Sequence, residues 1–363
     1  MKRSLLIGCA VSAIVCAAGA ASAQTKSKFD ILVGGDAYFL AAYAKEDVTT
    51  NANGRTTEFS NRFRLHFTPT AKADNGLEYG ARLRLRAANA NRTVDADRGF
   101  LFVNGAFGTV QAGVINGLGD EYGNIGPNVD GIGGTPDGNA LNFYAGSLPY
   151  ALGNLRTQES GDNATKLVYL TPTFSGLQLG AAYTPRTGDY YTSINRTKNT
   201  TNYFDTGEVG AFYKGAYGAV SVDASVEYIF GNAGVSTVQD LSSVHTGVTV
   251  GYGAFKIGGS YAYSGKSGHA TTARNLDKNQ VWILGAQYAT GPLTFAATYT
   301  DAKGGVESFA ATTNAKAHLW QAGVTYAVAP GLTTSLEYSF LDNKVGTVNN
   351  DANIVLIDTR IAF

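Results

Sequence analysis

Arg62, Arg64, Arg82, Arg84 and Arg86 recur at alternate positions in two short runs, 58–66 and 78–86, in phase with Glu58, His66 and Glu78. A guanidinium stays charged at any physiological pH and grips carboxylate or phosphate oxygens as a fork. Five of them on one surface would impose a fixed positive field on whatever water they face. The intervening positions are apolar apart from Asn61: Phe59, Phe63, Leu65 and Phe67, then Leu77, Tyr79, Ala81, Leu83, Leu85 and Ala87. Period-two alternation means two strands, each with one apolar and one charged face. A turn centred on Lys72 would oppose Arg62 to Arg82, Arg64 to Gly80 and Glu58 to Arg86, gathering the arginines on one wall.

That wall must face water. Each Arg turned into lipid at mid-membrane costs roughly 2–4 kcal/mol, so the inverted register loses about 10–20 kcal/mol, comparable with the stability of a whole domain. Alternation alone leaves open whether the apolar face meets lipid or a protein core, because a soluble sandwich alternates in the same way.

The rest of the chain decides between them. It opens Met1-Lys2-Arg3, continues through the apolar run 5–18 and reaches Ala21-Ser22-Ala23, which reads as a secretory signal peptide over 1–23, cleaved after Ala23. Both cysteines, Cys9 and Cys16, fall inside it, so residues 24–363 carry no thiol for a disulfide or a thiolate metal site. Basic and acidic residues balance at 28 each, which gives no electrostatic case for nucleic acid as a partner. Glycine (45) and tyrosine (21) are abundant, and no stretch after the leader keeps a helical apolar period.

From Phe29 onward, sixteen alternating segments of membrane-crossing length follow one another. Short connections (68–76, 104–108, 172–176, 214–218, 253–254, 290–292, 327–331) take turns with long ones (45–57, 89–97, 115–162, 185–206, 231–242, 264–278, 301–316, 342–353). This predicts an all-β fold: a transmembrane antiparallel β-barrel of 16 strands with short periplasmic turns and long extracellular loops, in a single domain over 24–363. All eight prolines are expected in turns or loops. Tyrosines fall at both ends of the segments on the apolar face, among them Tyr169, Tyr252, Tyr288 and Tyr326 at one rim and Tyr183, Tyr228, Tyr261, Tyr299 and Tyr338 at the other. Two aromatic girdles at head-group level account for that sorting. The last segment, 353–363, alternates Val355, Ile357, Thr359, Ile361 and Phe363 against Asp358 and Arg360, and is expected to pair with the first and close the barrel.

The run Gly105-Ala106-Phe107-Gly108-Thr109-Val110-Gln111-Ala112-Gly113, the run Tyr169-Leu170-Thr171-Pro172-Thr173-Phe174-Ser175-Gly176-Leu177 and the terminal Phe363 resemble the general porins of Gram-negative outer membranes. The resemblance covers essentially the whole chain after the leader. It implies a homotrimer of sixteen-stranded barrels in outer-membrane lipid, with the third long loop folded into each pore as a constriction. It also implies passive diffusion of small hydrophilic solutes, and recognition of the C-terminal strand by the barrel-assembly machinery. Enterobacterial members carry Pro-Glu-Phe-Gly-Gly-Asp in the third loop, whereas this chain has Asn128-Val129-Asp130-Gly131-Ile132-Gly133-Gly134.

The third loop, 115–162, is Gly-rich and carries Asp120, Glu121, Asp130 and Asp137 with Arg156. Folded inward, it would set carboxylates across a water-filled neck from the five arginines, and rings of fixed charge at a neck select ions. The arginines favour anions, while the loop carboxylates could offset or reverse that preference. A substrate-selective channel for anionic solutes is the alternative within the same class. Outside it stand a barrel hydrolase, with His245 and Ser243 as raw material, and an adhesin. Asp130 and its neighbours lack the ligand spacing of a calcium loop. His66, His245, His269 and His318 occur singly, with His66, His245 and His318 expected on the lumen face. No metal or other cofactor is expected.

Overall fold

The structure, a computed structural model, describes residues 28–47, 55–87, 92–129, 140–156 and 163–363 except 193 and 199. The expected signal peptide lies outside the described residues. Sixteen long strands form: β1 (Asp30–Glu46), β2 (Thr57–Lys72), β3 (Glu78–Ala87), β4 (Val94–Gly105), β5 (Gly108–Val114), β6 (Thr165–Leu170), β7 (Leu177–Arg186) and β8 (Tyr203–Tyr217). The second half holds β9 (Val220–Ala233), β10 (Leu241–Tyr252), β11 (Phe255–Gly265), β12 (Asn279–Thr290), β13 (Leu293–Gly305), β14 (Asn314–Ala329), β15 (Leu332–Val345) and β16 (Ala352–Ala362). A two-residue ladder, Val348–Asn349, folds back on β15 in the last loop.

Every strand pairs antiparallel with its chain neighbours, and β1 also pairs with β16 from Asp36↔Ala362 to Glu46↔Ala352. The sheet is therefore closed and leaves no edge to aggregate. At the seam the chain's last residue exchanges backbone hydrogen bonds with Gly35, Phe363 N–H to Gly35 O at 3.0 Å and Gly35 N–H to Phe363 O at 2.8 Å. A Cβ at Gly35 would stand 2.9 Å from the Phe363 ring, so glycine is needed where the terminal ring folds over the seam.

Alternation sorts the side chains as expected. Phe59, Phe63, Leu101, Ile257, Leu284, Leu336 and Ile357 are exposed on the outer face, while Ser225, His245, Thr298 and Ser335 are buried on the inner one. Large apolar side chains turned outward round a closed barrel match lipid contact rather than a second sheet. Among the described residues no helix is long and apolar enough to cross a membrane.

Four expectations need correction. The β2–β3 turn is centred on Asn75, three residues beyond Lys72, so Arg64 faces Arg86 and His66 faces Arg84. Asn75 Oδ1 accepts the Leu77 N–H and Gly76 adopts φ +84°, which makes 73–77 the tight turn. The shift keeps parity, so no side chain changes face. Secondly, Pro69 and Pro185 lie within β2 and β7, where the ladder steps over them, from Phe67↔Leu83 to Thr70↔Gly80 and from Thr184↔Thr206 to Arg186↔Phe204. Thirdly, the lumen wall is not uniformly polar. Val281, Ala302, Leu319, Leu341 and Ile354 face inward near the extracellular end and are buried against Tyr144, Ala151 and Leu152 of the third loop. Finally, His318 shares the outer face with Trp320, because in β14 the even positions point away from the lumen.

Candidate functional site: a guanidinium wall facing the inward loop

Arg62, Arg64, Arg84, Arg86 and Arg98 line one recess of about 390 Å³ with Tyr38, Asp97, Asn116, Asp120 and Asn163. Four adjacent strands, β1 to β4, supply the wall, each through its inward-facing positions. Arg62 donates to Asp36 at 3.2 Å and lies over the Tyr38 ring, its Cζ 4.5 Å from the centroid. Arg84 forks onto Asp97, with Nε to Oδ1 at 2.6 Å and Nη2 to Oδ2 at 2.5 Å. Arg86 forks onto Asp95 at 3.2 and 2.8 Å, and its Nη1 is 3.6 Å from Asp97. Such forks fix the planes of the guanidiniums as well as neutralising part of their charge. Arg82 stands outside the recess, with Nη2 2.8 Å from His66 Nδ1.

The opposite side comes from the loop after β5. It begins with a short helix, α1 (Leu118–Tyr122), whose Leu118 N–H is held by Glu208 Oε2 of β8 at 2.6 Å. Lys166 Nζ of β6 is 3.9 Å from the other Glu208 oxygen. Asp120 and Glu121 of α1 reach across to Arg98, at 3.9 and 3.4 Å, and Arg156 on the returning limb lies 3.6 Å from Asp120 and donates to Gly123 O. Asn116 is hydrogen-bonded to Asp120. The acidic residues Asp130 and Asp137 lie outside the described residues.

From α1 the loop runs flat along the inner wall. Asn124 N–H donates to Ser225 Oγ on β9, Thr249 of β10 donates to Asn124 Oδ1, and Val129 N–H donates to Thr298 Oγ1 of β13. Close approach is possible because the wall is bare there. A Cβ at Gly247 of β10 would stand 1.7 Å from Asn124 O, and one at Gly285 of β12 1.7 Å from Pro127 O. Gly126, at φ +81°, passes over the β11 backbone at Gly258 and Gly259, and Gly323 of β14 receives Val129. A second anchor follows at the extracellular end. Tyr144 OH donates to Asn350 O, Asn343 donates to Tyr144 OH and to Ser147 O, and Ala145 N–H donates to Glu46.

Sequence reasoning brought Arg62, Arg64, Arg84 and Arg86 together with Asp120 and Glu121, but missed Asp36, Asp95, Asp97 and Arg98. Three of these hide behind a β-bulge. Arg84 pairs with Arg98 and Leu85 with Ala96, so Asp97 is the extra residue and the inward phase switches from odd to even positions there. The alternation signal vanishes at such a point. The wall glycines Gly247, Gly258, Gly285 and Gly323 did leave a signal, since each stands on the lumen phase of its strand, but they form a row only once the register is known.

His245 and Ser243 do not assemble a nucleophilic pair open to substrate. His245 is fully buried with Nδ1 3.4 Å from Glu227, and Ser243 Oγ engages Ser264 Oγ at 2.7 Å. Among the described residues no group of three His, Cys, Asp or Glu side chains could hold a metal ion.

A closed sixteen-stranded barrel with an apolar exterior and a charged lumen narrowed by an inward loop is a membrane channel. The sequence model described as Gram-negative porin matches residues 10–346, and the chain belongs to that family. Family and fold indicate an outer-membrane porin channel rather than an enzyme. No curated protein matches. Among solved structures, an anion-selective porin from Comamonas acidovorans superposes with a TM-score of 0.62 at 17% identity, over 93% of this chain and 100% of the other. A loop L8 deletion mutant of OmpT, an outer membrane protein of Vibrio cholerae, gives 0.61 at 14% identity, over 92% and 99%. A mutant of the Rh. blastica porin gives 0.59 at 17%, over 92% and 100%.

Proposed function

We propose that this porin passes small hydrophilic solutes by passive diffusion and prefers anions, with Arg62, Arg64, Arg84, Arg86 and Arg98 as one half of the neck and the third loop as the other. The carrying observation is the convergence of these five guanidiniums on one recess. Around it, the described carboxylates of Asp36, Asp95, Asp97, Asp120 and Glu121 fall one short of the guanidiniums, Arg156 included. Two of those carboxylates, Asp95 and Asp97, are also tied into forks on the wall itself. A mobile anion therefore meets more positive than negative ends, which is how a charged neck discriminates. The similarly folded Comamonas protein, described as anion-selective, supports the same reading.

The mature chain is expected to begin at Gln24, to assemble as a homotrimer, and to present β16 to the barrel-assembly machinery. Reversal potential in a planar bilayer under a salt gradient tests the channel reading. Purified protein should insert in steps grouped in threes and reverse on the anion side, and a double substitution Arg64→Ser with Arg86→Ser should move the reversal potential toward cations. An unchanged reversal potential in a variant of normal conductance would remove these arginines from the neck.

A further inference from the structure

The outer face of β12 to β15 carries a second basic feature, unrelated to the pore. Lys303 of β13 pairs directly with Lys316 of β14, and Lys316 pairs with Lys344 of β15. All three share the outward phase of Phe295, Trp320 and Leu336, the exposed apolar residues of the same strands. Lys278, just before β12, extends the row, with Nζ 5.8 Å from the outward-facing Tyr263 ring of β11. Like charges placed directly opposite across a ladder destabilise it. None of these four ammoniums makes an ion pair among the described residues. The row is thus a set of unopposed cations at the end of the barrel that carries the long loops.

The rows beneath it tell where it sits. Asp301, His318 and Asp342 come next, register-paired across the same strands, with His318 Nδ1 2.9 Å from Asp301. Below them lie Tyr299, Trp320 and Phe340, in ring contact at 5.0 and 5.6 Å between centroids. Such an aromatic girdle marks the rim of the hydrocarbon layer. Four residues along a tilted strand rise about 10 Å, which lifts the lysines to the level of lipid phosphates. The feature is local: on the same face β9 and β10 end in Tyr228, Phe230, Ser242 and Val244.

We propose that this ledge docks a phosphorylated saccharolipid of the outer leaflet, with Lys303, Lys316 and Lys344 on its phosphates and its acyl chains along Trp320, Phe340 and Leu336. A lipid rather than free phosphate is the occupant because the cations stand directly above an exposed apolar column, which an inorganic ion would leave unused. His318, with Nδ1 2.9 Å from Asp301, separates the lysines from the aromatic row.

The test is titration of bis-phosphorylated lipid A into the folded, detergent-solubilised protein, read by native mass spectrometry, against a variant carrying Lys303→Gln, Lys316→Gln and Lys344→Gln. The variant should bind about a hundredfold more weakly. Its single-channel conductance and its heat-modifiable gel mobility should match the unmodified protein, because the substituted side chains face away from the lumen. Dephosphorylated lipid should bind the unmodified protein as weakly as the intact lipid binds the variant. Equal affinity of the folded variant for intact lipid, or equal affinity of the protein for dephosphorylated lipid, would overturn the proposal. Displacement of the lipid by excess inorganic phosphate would also overturn it, by making the row a free-anion site.

Discussion

Gly285→Ala adds one methyl group to the inner face of β12, where it would stand 1.7 Å from Pro127 O. Real Cβ contacts stay beyond 3.0 Å, so wall and loop must part by at least about 1.3 Å. The wall cannot yield, because β12 is laddered to β11 and β13 on both sides. The loop must therefore move toward the lumen axis. The neighbouring Val129 N–H to Thr298 bond, 3.0 Å long, and the Asn124 Nδ2 to Asp223 O bond, 3.1 Å, do not survive a shift of that size. Two such bonds are worth about 1–3 kcal/mol together. Amide hydrogen exchange over 124–129 should accelerate by roughly 5- to 150-fold, and single-channel conductance should fall with added flicker. Ala286→Val, on the outer face of the same strand, serves as the control. A folded Gly285→Ala barrel with unchanged loop protection and conductance would mean that the loop does not rest on the wall at β12.

Asp97→Ala should strip Arg84 of both fork partners in a buried setting and destabilise the barrel by about 3–5 kcal/mol, read as a shift in the urea midpoint of the detergent-solubilised protein. A loss below about 1 kcal/mol would mean that lumen water solvates Arg84 adequately. Among the extracellular loops, burial holds the His269 imidazole below its ordinary value; the Asn279 hydrogen bond opposes this and Lys266 adds to it. A folded-state value below the unfolded one of about 6.5 gives stability that is present above that pH and is lost as pH falls through the folded value. Exchange of the amides of Gly268, Ala270 and Thr271, which donate to Gln239 O, Ala311 O and Thr237 O, should therefore speed up in acid beyond its intrinsic rate. The pH dependence should disappear in His269→Gln.

Much of the molecule was legible in the sequence because lipid outside and water inside leave each strand position only two environments. That binary choice prints a period-two pattern on the chain, and parity survives even a misplaced turn, as at 73–77. It placed Arg62, Arg64, Arg84 and Arg86 on the lumen face and set the tyrosines at the rims. The pattern fails where one residue is inserted in a ladder, which is why Asp97 and Arg98 went unseen, and where loop and wall bury each other, which is why Leu341 and Ile354 point inward. Alternation also cannot tell which rows of neighbouring strands lie level. The glycine track under 124–129, the separation of Arg82 from the other arginines, and the Lys303, Lys316 and Lys344 row all depend on inter-strand register. Period-two patterning alone sets the face of strand side chains wherever the ladder is unbroken, because burying a charge in lipid is prohibitive. Who meets whom across the strands emerges from the folded barrel, because hydrogen-bonded ladders with bulges and turns set the stagger through contacts far apart in the chain.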